Sequence, residues 1–154
     1  MVVMPVICIV VEILRSKSSI TLSIVIKWVL FWSVGIRSLS AGLVQFIYPQ
    51  YTAKIIFNLT GTDFYIFIRE LGIANTAIGL SAIISFKIIN WRVPVSFISL
   101  IFNLFLSLNH IINFQAGFNE VVSLIGDLLI VLILSVFLIR SLKRAKIFPF
   151  TTYC

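Results

Sequence analysis

The stretch Arg69-Glu70-Leu71-Gly72-Ile73-Ala74-Asn75-Thr76-Ala77-Ile78-Gly79 places an acid, a base, an amide and two glycines inside an otherwise apolar run. The run extends from Phe64 to Phe86, and at about 1.5 Å per residue a helix of this length crosses a hydrocarbon layer of about 30 Å. A carboxylate inside such a helix costs a few kcal/mol, so Glu70 is expected to face protein or water and to have a partner. The stretch therefore predicts a membrane-spanning helix that carries a polar site.

The whole chain has the composition of an integral membrane protein. Of its 154 residues, 60% are hydrophobic and 11% are charged, whereas a soluble domain carries about a quarter of charged residues. No polar stretch is long enough to fold as a separate soluble module, so residues 1–154 are predicted to form one membrane domain. The formal net charge of +7 does not indicate nucleic-acid binding, because the basic residues are spread between apolar segments.

The apolar segments predict an all-α, polytopic transmembrane helix bundle. Four of them are long enough to cross the membrane, and a shorter, tilted helix precedes them. The predicted spans are residues 2–14, 28–48, 64–86, 93–113 and 121–139, followed by a basic tail, 140–154.

Small residues predict which helix faces pack closely. Gly35 and Gly42 lie on one side of the second apolar segment, and Gly72 and Gly79 lie on one side of the third. Glycine lets the backbone of a neighbouring helix approach, so we expect the third segment at the centre of the bundle. In the fourth segment a stripe of Ser and Asn side chains ending at His110 indicates hydrogen bonding between helices.

The basic residues predict the orientation. Most of them, including Arg15, Lys87, Arg92 and the cluster that follows Ile139, fall on one side of the predicted spans. Positively charged loops stay in the cytoplasm. We therefore predict a multi-pass protein of the bacterial inner (plasma) membrane with a cytoplasmic C-terminus.

Counting residues inward from the opposite side places polar groups at similar depths on four helices. Gln45 and His110 lie about 5 Å deep, and Glu70 and Asp127 lie about 9 Å deep with Arg69 at the same level. Arg37 and Asn75 lie about 16 Å deep, from where Arg37 can reach up to a carboxylate. An acid, an imidazole and an arginine at one level are a common feature of binding and acid–base sites. The predicted polar pocket contains Arg37, Gln45, Arg69, Glu70, Asn75, His110 and Asp127.

The segment Phe67-Ile68-Arg69-Glu70-Leu71-Gly72-Ile73-Ala74-Asn75 resembles a family of small bacterial membrane proteins of unknown function with an F-x-x-E-[LV]-G-x-A-N pattern. The resemblance extends over about residues 28–139 and implies a role for Glu70, Asn75, His110 and Asp127, but it implies no activity. Where that family has Gly-His, this chain has Val44-Gln45, so no metal or other cofactor is predicted. A weaker likeness in fold is to the DoxX-type membrane proteins.

Three functions fit these observations. The first is a component that binds or transports a small molecule or protons, which in so small a bundle requires a homo-oligomer or a partner protein in the membrane. The second is a structural or assembly subunit whose polar groups only hold helices together. The third is a membrane enzyme with Glu70, Asp127 and His110 as acid and base, which is less favoured because the sequence contains no HExxH, GxSxG, P-loop or CxxC motif. The lipid bilayer is the one partner that all three share.

Overall fold

The computed structural model describes residues 3–17, 19–112 and 118–147, and within these residues the chain is helical without a strand. The helices are α1 (Val3–Ser16), α2 (Leu22–Ile47), α3 (Pro49–Tyr51, continued by the π-helical Thr52–Ile56), α4 (Tyr65–Ile84), α5 (Arg92–Ile112) and α6 (Phe118–Ile147). Neighbours among the long helices run antiparallel.

Four helical segments are long and apolar enough to cross a membrane, namely Leu22–Ile47, Tyr65–Ile84, Ile89–Ile112 and Val121–Arg144. The predicted all-α bundle of four long spans with a short N-terminal helix is therefore confirmed, and the protein is a multi-pass integral membrane protein. Helix α1 has 14 residues, so it is about 21 Å long and shorter than a typical span.

Helix α2 contains the predicted span 28–48 and the helical lead-in before it, which was predicted from Ile20 to Lys27. It begins at Leu22, where the side chain of Thr21 accepts a hydrogen bond from the backbone N–H of Ile24 and caps the helix. Its middle, Val29–Ile36, is π-helical. A π-helical turn holds more residues than an α-helical turn, so it changes the direction in which the following residues of α2 point.

Helices α2 and α4 make the most extensive contact in the described part of the chain. The contact is so close that no side chain fits at the glycines. A Cβ atom added at Gly42 would lie 2.6 Å from the backbone nitrogen of Thr76, and one added at Gly79 would lie 2.5 Å from the backbone nitrogen of Leu39. The sequence prediction that glycines on these two helices let their backbones approach is thus confirmed.

Helices α5 and α6 pack against each other and also contact the α2–α4 pair. Helices α5 and α6 share the second most extensive contact, whereas α4 touches α5 over a smaller area. An apolar core joins α2, α4, α5 and α6 and consists of Ile26, Leu30, Val34, Ala82, Val95, Ile130 and Leu134. The bundle is thus two tight helix pairs held together by this core.

A buried arginine ties three helices together at the end of the bundle where α5 begins, which we call the basic end. Arg92 donates hydrogen bonds to the carbonyl oxygens of Ser85 and Phe86, both at 3.3 Å, and to Oγ of Ser23 at 3.0 Å. Helix α1 attaches nearby, because Glu12 accepts hydrogen bonds from Nζ of Lys27 and Nε1 of Trp28, each at 2.5 Å.

The glycine contact leads to the first prediction. Replacing Gly42 with Ala forces a Cβ atom into the backbone of α4, so we expect a loss of about 3 kcal/mol in the free energy of unfolding. Gly126→Ala is the matched control, because no atom lies within 4 Å of an added Cβ there. The control should change stability by less than about 1 kcal/mol, in the stabilising direction. Unfolding in mixed micelles measures both, and equal effects of the two substitutions would contradict the close contact.

Candidate functional site

All four long helices line a cavity of about 250 Å³ at the centre of the bundle. Each of the four helices contributes at least one polar side chain to its lining. The lining residues are Arg37, Ser38, Ala41 and Gln45 of α2, Leu71 and Asn75 of α4, Phe102, Asn103, Leu106 and His110 of α5, Ser123 of α6, and Ile56 with Phe57 at the end of α3. The cavity is smaller than the pockets of about 300 to 1,000 Å³ that hold drug-sized ligands.

An ion pair between α2 and α6 lies beside this cavity. Nη1 of Arg37 donates a hydrogen bond to Oδ1 of Asp127, whose side chain is fully buried. The long stem of Arg37 allows its guanidinium to reach the carboxylate from a different helix. A buried acid without a cation would be strongly unfavourable, so this pair is what allows Asp127 to stay in the bundle.

The second oxygen of Asp127 has no hydrogen bond to a residue that the structure describes. Its Oδ2 is buried and lacks a partner among the residues that the structure describes. The nearest candidate is Nε2 of His110, but the two atoms are 3.9 Å apart, which exceeds the length of a hydrogen bond. The gap between His110 and Asp127 therefore contains an unsatisfied acceptor beside the cavity.

Carboxamide side chains form another part of the cavity wall. Nδ2 of Asn75 donates a 2.8 Å hydrogen bond to Oε1 of Gln45, and both side chains are buried. On α5, Nδ2 of Asn103 donates to the carbonyl oxygen of Ser99 at 2.7 Å. Within the described residues, no further hydrogen bond occupies the oxygen of Asn75 or the amide nitrogen of Gln45. These groups can donate to or accept from a molecule in the cavity.

The polar stripe of α5 bonds differently from the prediction. The side chains of Asn103 and Ser107 donate to backbone carbonyls one turn earlier in the same helix, and Oγ atoms of Ser96 and Ser99 have no partner in the described part of the chain. Short polar side chains in helices readily bond to the preceding turn. The stripe therefore does not supply the bonds between helices that we expected.

Four of the seven predicted pocket residues, namely Arg37, Gln45, Asn75 and His110, line the cavity. Asp127 lies behind the lining as the partner of Arg37. Arg69 and Glu70 lie elsewhere. Both are exposed, and neither has a hydrogen bond or ion pair with a described residue. Both were predicted in the pocket from their depth along the helix. Glu70 lies half a turn from Ile68 and Gly72, which face α2, so it points away from the bundle.

Two cavity features were missed by the sequence analysis. The first is Ser123, which lies one turn before Asp127 on α6 and therefore on the same side of that helix; this spacing was a usable signal. The second is the π-helical turn that precedes Arg37, for which the sequence offers no signature. Such turns are common next to functional sites.

The described residues contain no group of three His, Cys, Asp or Glu side chains arranged to hold a metal ion. Of these residue types, the described cavity lining contains only His110, and Asp127 lies next to it. Two ligands fall short of the three or four that a typical protein metal site supplies.

Comparison with known proteins assigns the chain to a family. A family model described as a family of unknown function, DUF6790, matches residues 1–146. The chain belongs to DUF6790. This agrees with the predicted membership of a membrane protein family of unknown function, while the F-x-x-E-[LV]-G-x-A-N pattern and the likeness to DoxX-type proteins stay predictions. No curated protein and no solved structure matches the chain.

The ion pair of this DUF6790 protein leads to a second prediction. Asp127→Asn leaves the guanidinium of Arg37 without its anion, so we expect a loss of about 3 kcal/mol in unfolding free energy. The double variant Arg37→Gln with Asp127→Asn replaces the two charges with two neutral amides and should recover most of this loss. A double-mutant cycle measured by unfolding in micelles gives the coupling energy. Additive effects of the two substitutions would show that the pair does not form.

Proposed function

We propose that this DUF6790 protein binds a small, uncharged polar molecule in the central cavity, as a binding or transport component of the membrane. The observation that carries the proposal is that three lining side chains, Gln45, Asn75 and His110, keep polar atoms that make no hydrogen bond to a described residue. An unsatisfied buried acceptor costs about 1 to 3 kcal/mol, and a ligand that donates a hydrogen bond removes this cost.

The charges of the cavity support an uncharged ligand. The positive charge of Arg37 is balanced by the negative charge of Asp127, so the walls carry no net charge when His110 is neutral. The imidazole of His110 and the carboxamides of Gln45 and Asn75 would then form hydrogen bonds with the polar groups of the ligand. The volume of about 250 Å³ admits only a small molecule.

The position of the cavity supports access from one side of the membrane. Lys87, Arg92, Arg140 and Arg144 lie at the basic end of the bundle, and positively charged segments stay in the cytoplasm. We propose that the protein lies in a bacterial inner membrane with the basic end inside. Ile56 and Phe57 then lie at the outer end of the cavity, and we propose that a ligand enters from that side.

A second candidate function is structural, and the Arg37–Asp127 pair favours it. The pair joins α2 to α6, and its only role in this alternative is to lock the two helix pairs together. An enzyme with Glu70 as acid or base has no geometric support, because Glu70 points away from the cavity.

Native mass spectrometry of the gently extracted protein tests the proposal. The wild type should carry a non-lipid small molecule. His110→Ala removes a wall of the site without removing a hydrogen bond seen in the described residues, so it should keep its thermal stability but lose at least about tenfold in ligand occupancy. Glu70→Gln is the matched control, because it changes a polar side chain outside the cavity, and it should retain the ligand.

Two results would decide against binding. The first is an empty wild-type protein under all extraction conditions. The second is a His110→Ala variant that melts earlier than the wild type and shows no difference in bound molecules. The second result supports the structural function, because only a residue that holds the helices together lowers stability in this way.

A further inference from the structure

The outward face of α4 carries two charges that the proposed function does not use. An apolar stripe of Ile66, Ile73 and Leu80 recurs every seven residues along this face, with 64%, 56% and 47% of each residue exposed. Successive helical residues are separated by 100°, so Arg69 and Glu70 lie on opposite flanks of the stripe. We call these five residues the outward face.

Both charges lie inside a membrane span. Glu70 follows the start of the Tyr65–Ile84 span by five residues, or about 8 Å along the helix axis. Arg69 can extend its long stem toward the end of the span, whereas the short side chain of Glu70 cannot. Neither has a hydrogen bond or an ion pair with a described residue. Unpaired charges in a membrane span are unfavourable, so a partner must cover this face.

The face is complementary to itself. Two copies in one membrane are related by a two-fold axis along the membrane normal, so equivalent residues lie at equal depth. When the apolar stripes meet, the left flank of one helix faces the right flank of the other, as in parallel coiled coils. Arg69 of each copy then lies opposite Glu70 of the other, and two ion pairs form.

We propose that the outward face of α4 is a homodimer interface, in which Arg69 and Glu70 form reciprocal ion pairs with a second copy of this chain. The arrangement satisfies both charges with residues that the chain already carries. It also leaves the central cavity of each copy intact, because the outward face lies opposite the α2 contact that borders the cavity.

Charge reversal in lipid bilayers tests this interface. Energy transfer between labelled full-length chains at low protein-to-lipid ratio measures dimerisation. With Arg69→Glu alone, residues 69 and 70 are both acids, and the acids of one copy face the acids of the other. Like charges across an interface are unfavourable, so dimerisation should weaken by at least about tenfold. Glu70→Arg alone should have a similar effect. The double variant Arg69→Glu with Glu70→Arg should restore dimerisation to near the wild-type level.

A mixture makes the test specific. Donor-labelled Arg69→Glu and acceptor-labelled Glu70→Arg each carry like charges, yet each pairs with the other, so only the mixture should show energy transfer. If the wild-type protein is monomeric, the proposal is overturned. The partner of this face would then be a different protein. A folded double variant that fails to dimerise also overturns it.

Cross-linking covers the case in which a charge variant does not fold. In a chain with Cys8 and Cys154 replaced by Ser, Ile73→Cys should form a disulfide-linked dimer under mild oxidation. Ile98→Cys, on the exposed surface of α5, is the matched control and should stay monomeric. Equal cross-linking at both positions, or none at either, would contradict the interface.

Discussion

The structure depends on a backbone contact between α2 and α4. At Gly42 and Gly79 the two helices approach so closely that an added Cβ atom would overlap backbone atoms of the neighbour. In a bilayer, apolar side chains gain little by leaving lipid for protein, so close van der Waals packing of this kind has to hold helices together. The contact also brings Gln45 of α2 against Asn75 of α4, and these hydrogen-bonded side chains form part of the cavity wall.

The second helix pair completes the cavity but packs less tightly against the first. Arg37 of α2 and Asp127 of α6 cross this boundary as an ion pair. A buried ion pair contributes little net stability compared with apolar residues of similar size. Its presence beside a cavity that all four spans line agrees with the proposal that the cavity binds a ligand.

Much of the fold was predictable from the sequence, and part of the site. Composition and segment length predict the four spans, and the glycines predict the α2–α4 contact. Depth along each helix predicts Gln45, His110 and Asp127 near one level and Arg37 deeper but within reach of a carboxylate, because helical rise is constant. Depth does not report direction, so Glu70 was placed in the pocket although it points outward. The π-helical turn in α2 and the burial of Arg92 at the basic end depend on tertiary packing, for which one sequence carries no local signal.

Cysteine accessibility measures most directly whether a water-filled polar cavity lies between the four spans. In a chain without its native cysteines, Ser38→Cys places a thiol in the cavity lining, and Ile98→Cys places one on the exposed apolar surface of α5. Thiols react as thiolates, which form in water rather than in lipid. We predict that a small, membrane-impermeant thiol reagent modifies Ser38→Cys in intact membranes and leaves Ile98→Cys unmodified. If Ser38→Cys stays as unreactive as Ile98→Cys, the cavity is closed to water and the account of a polar binding site is wrong.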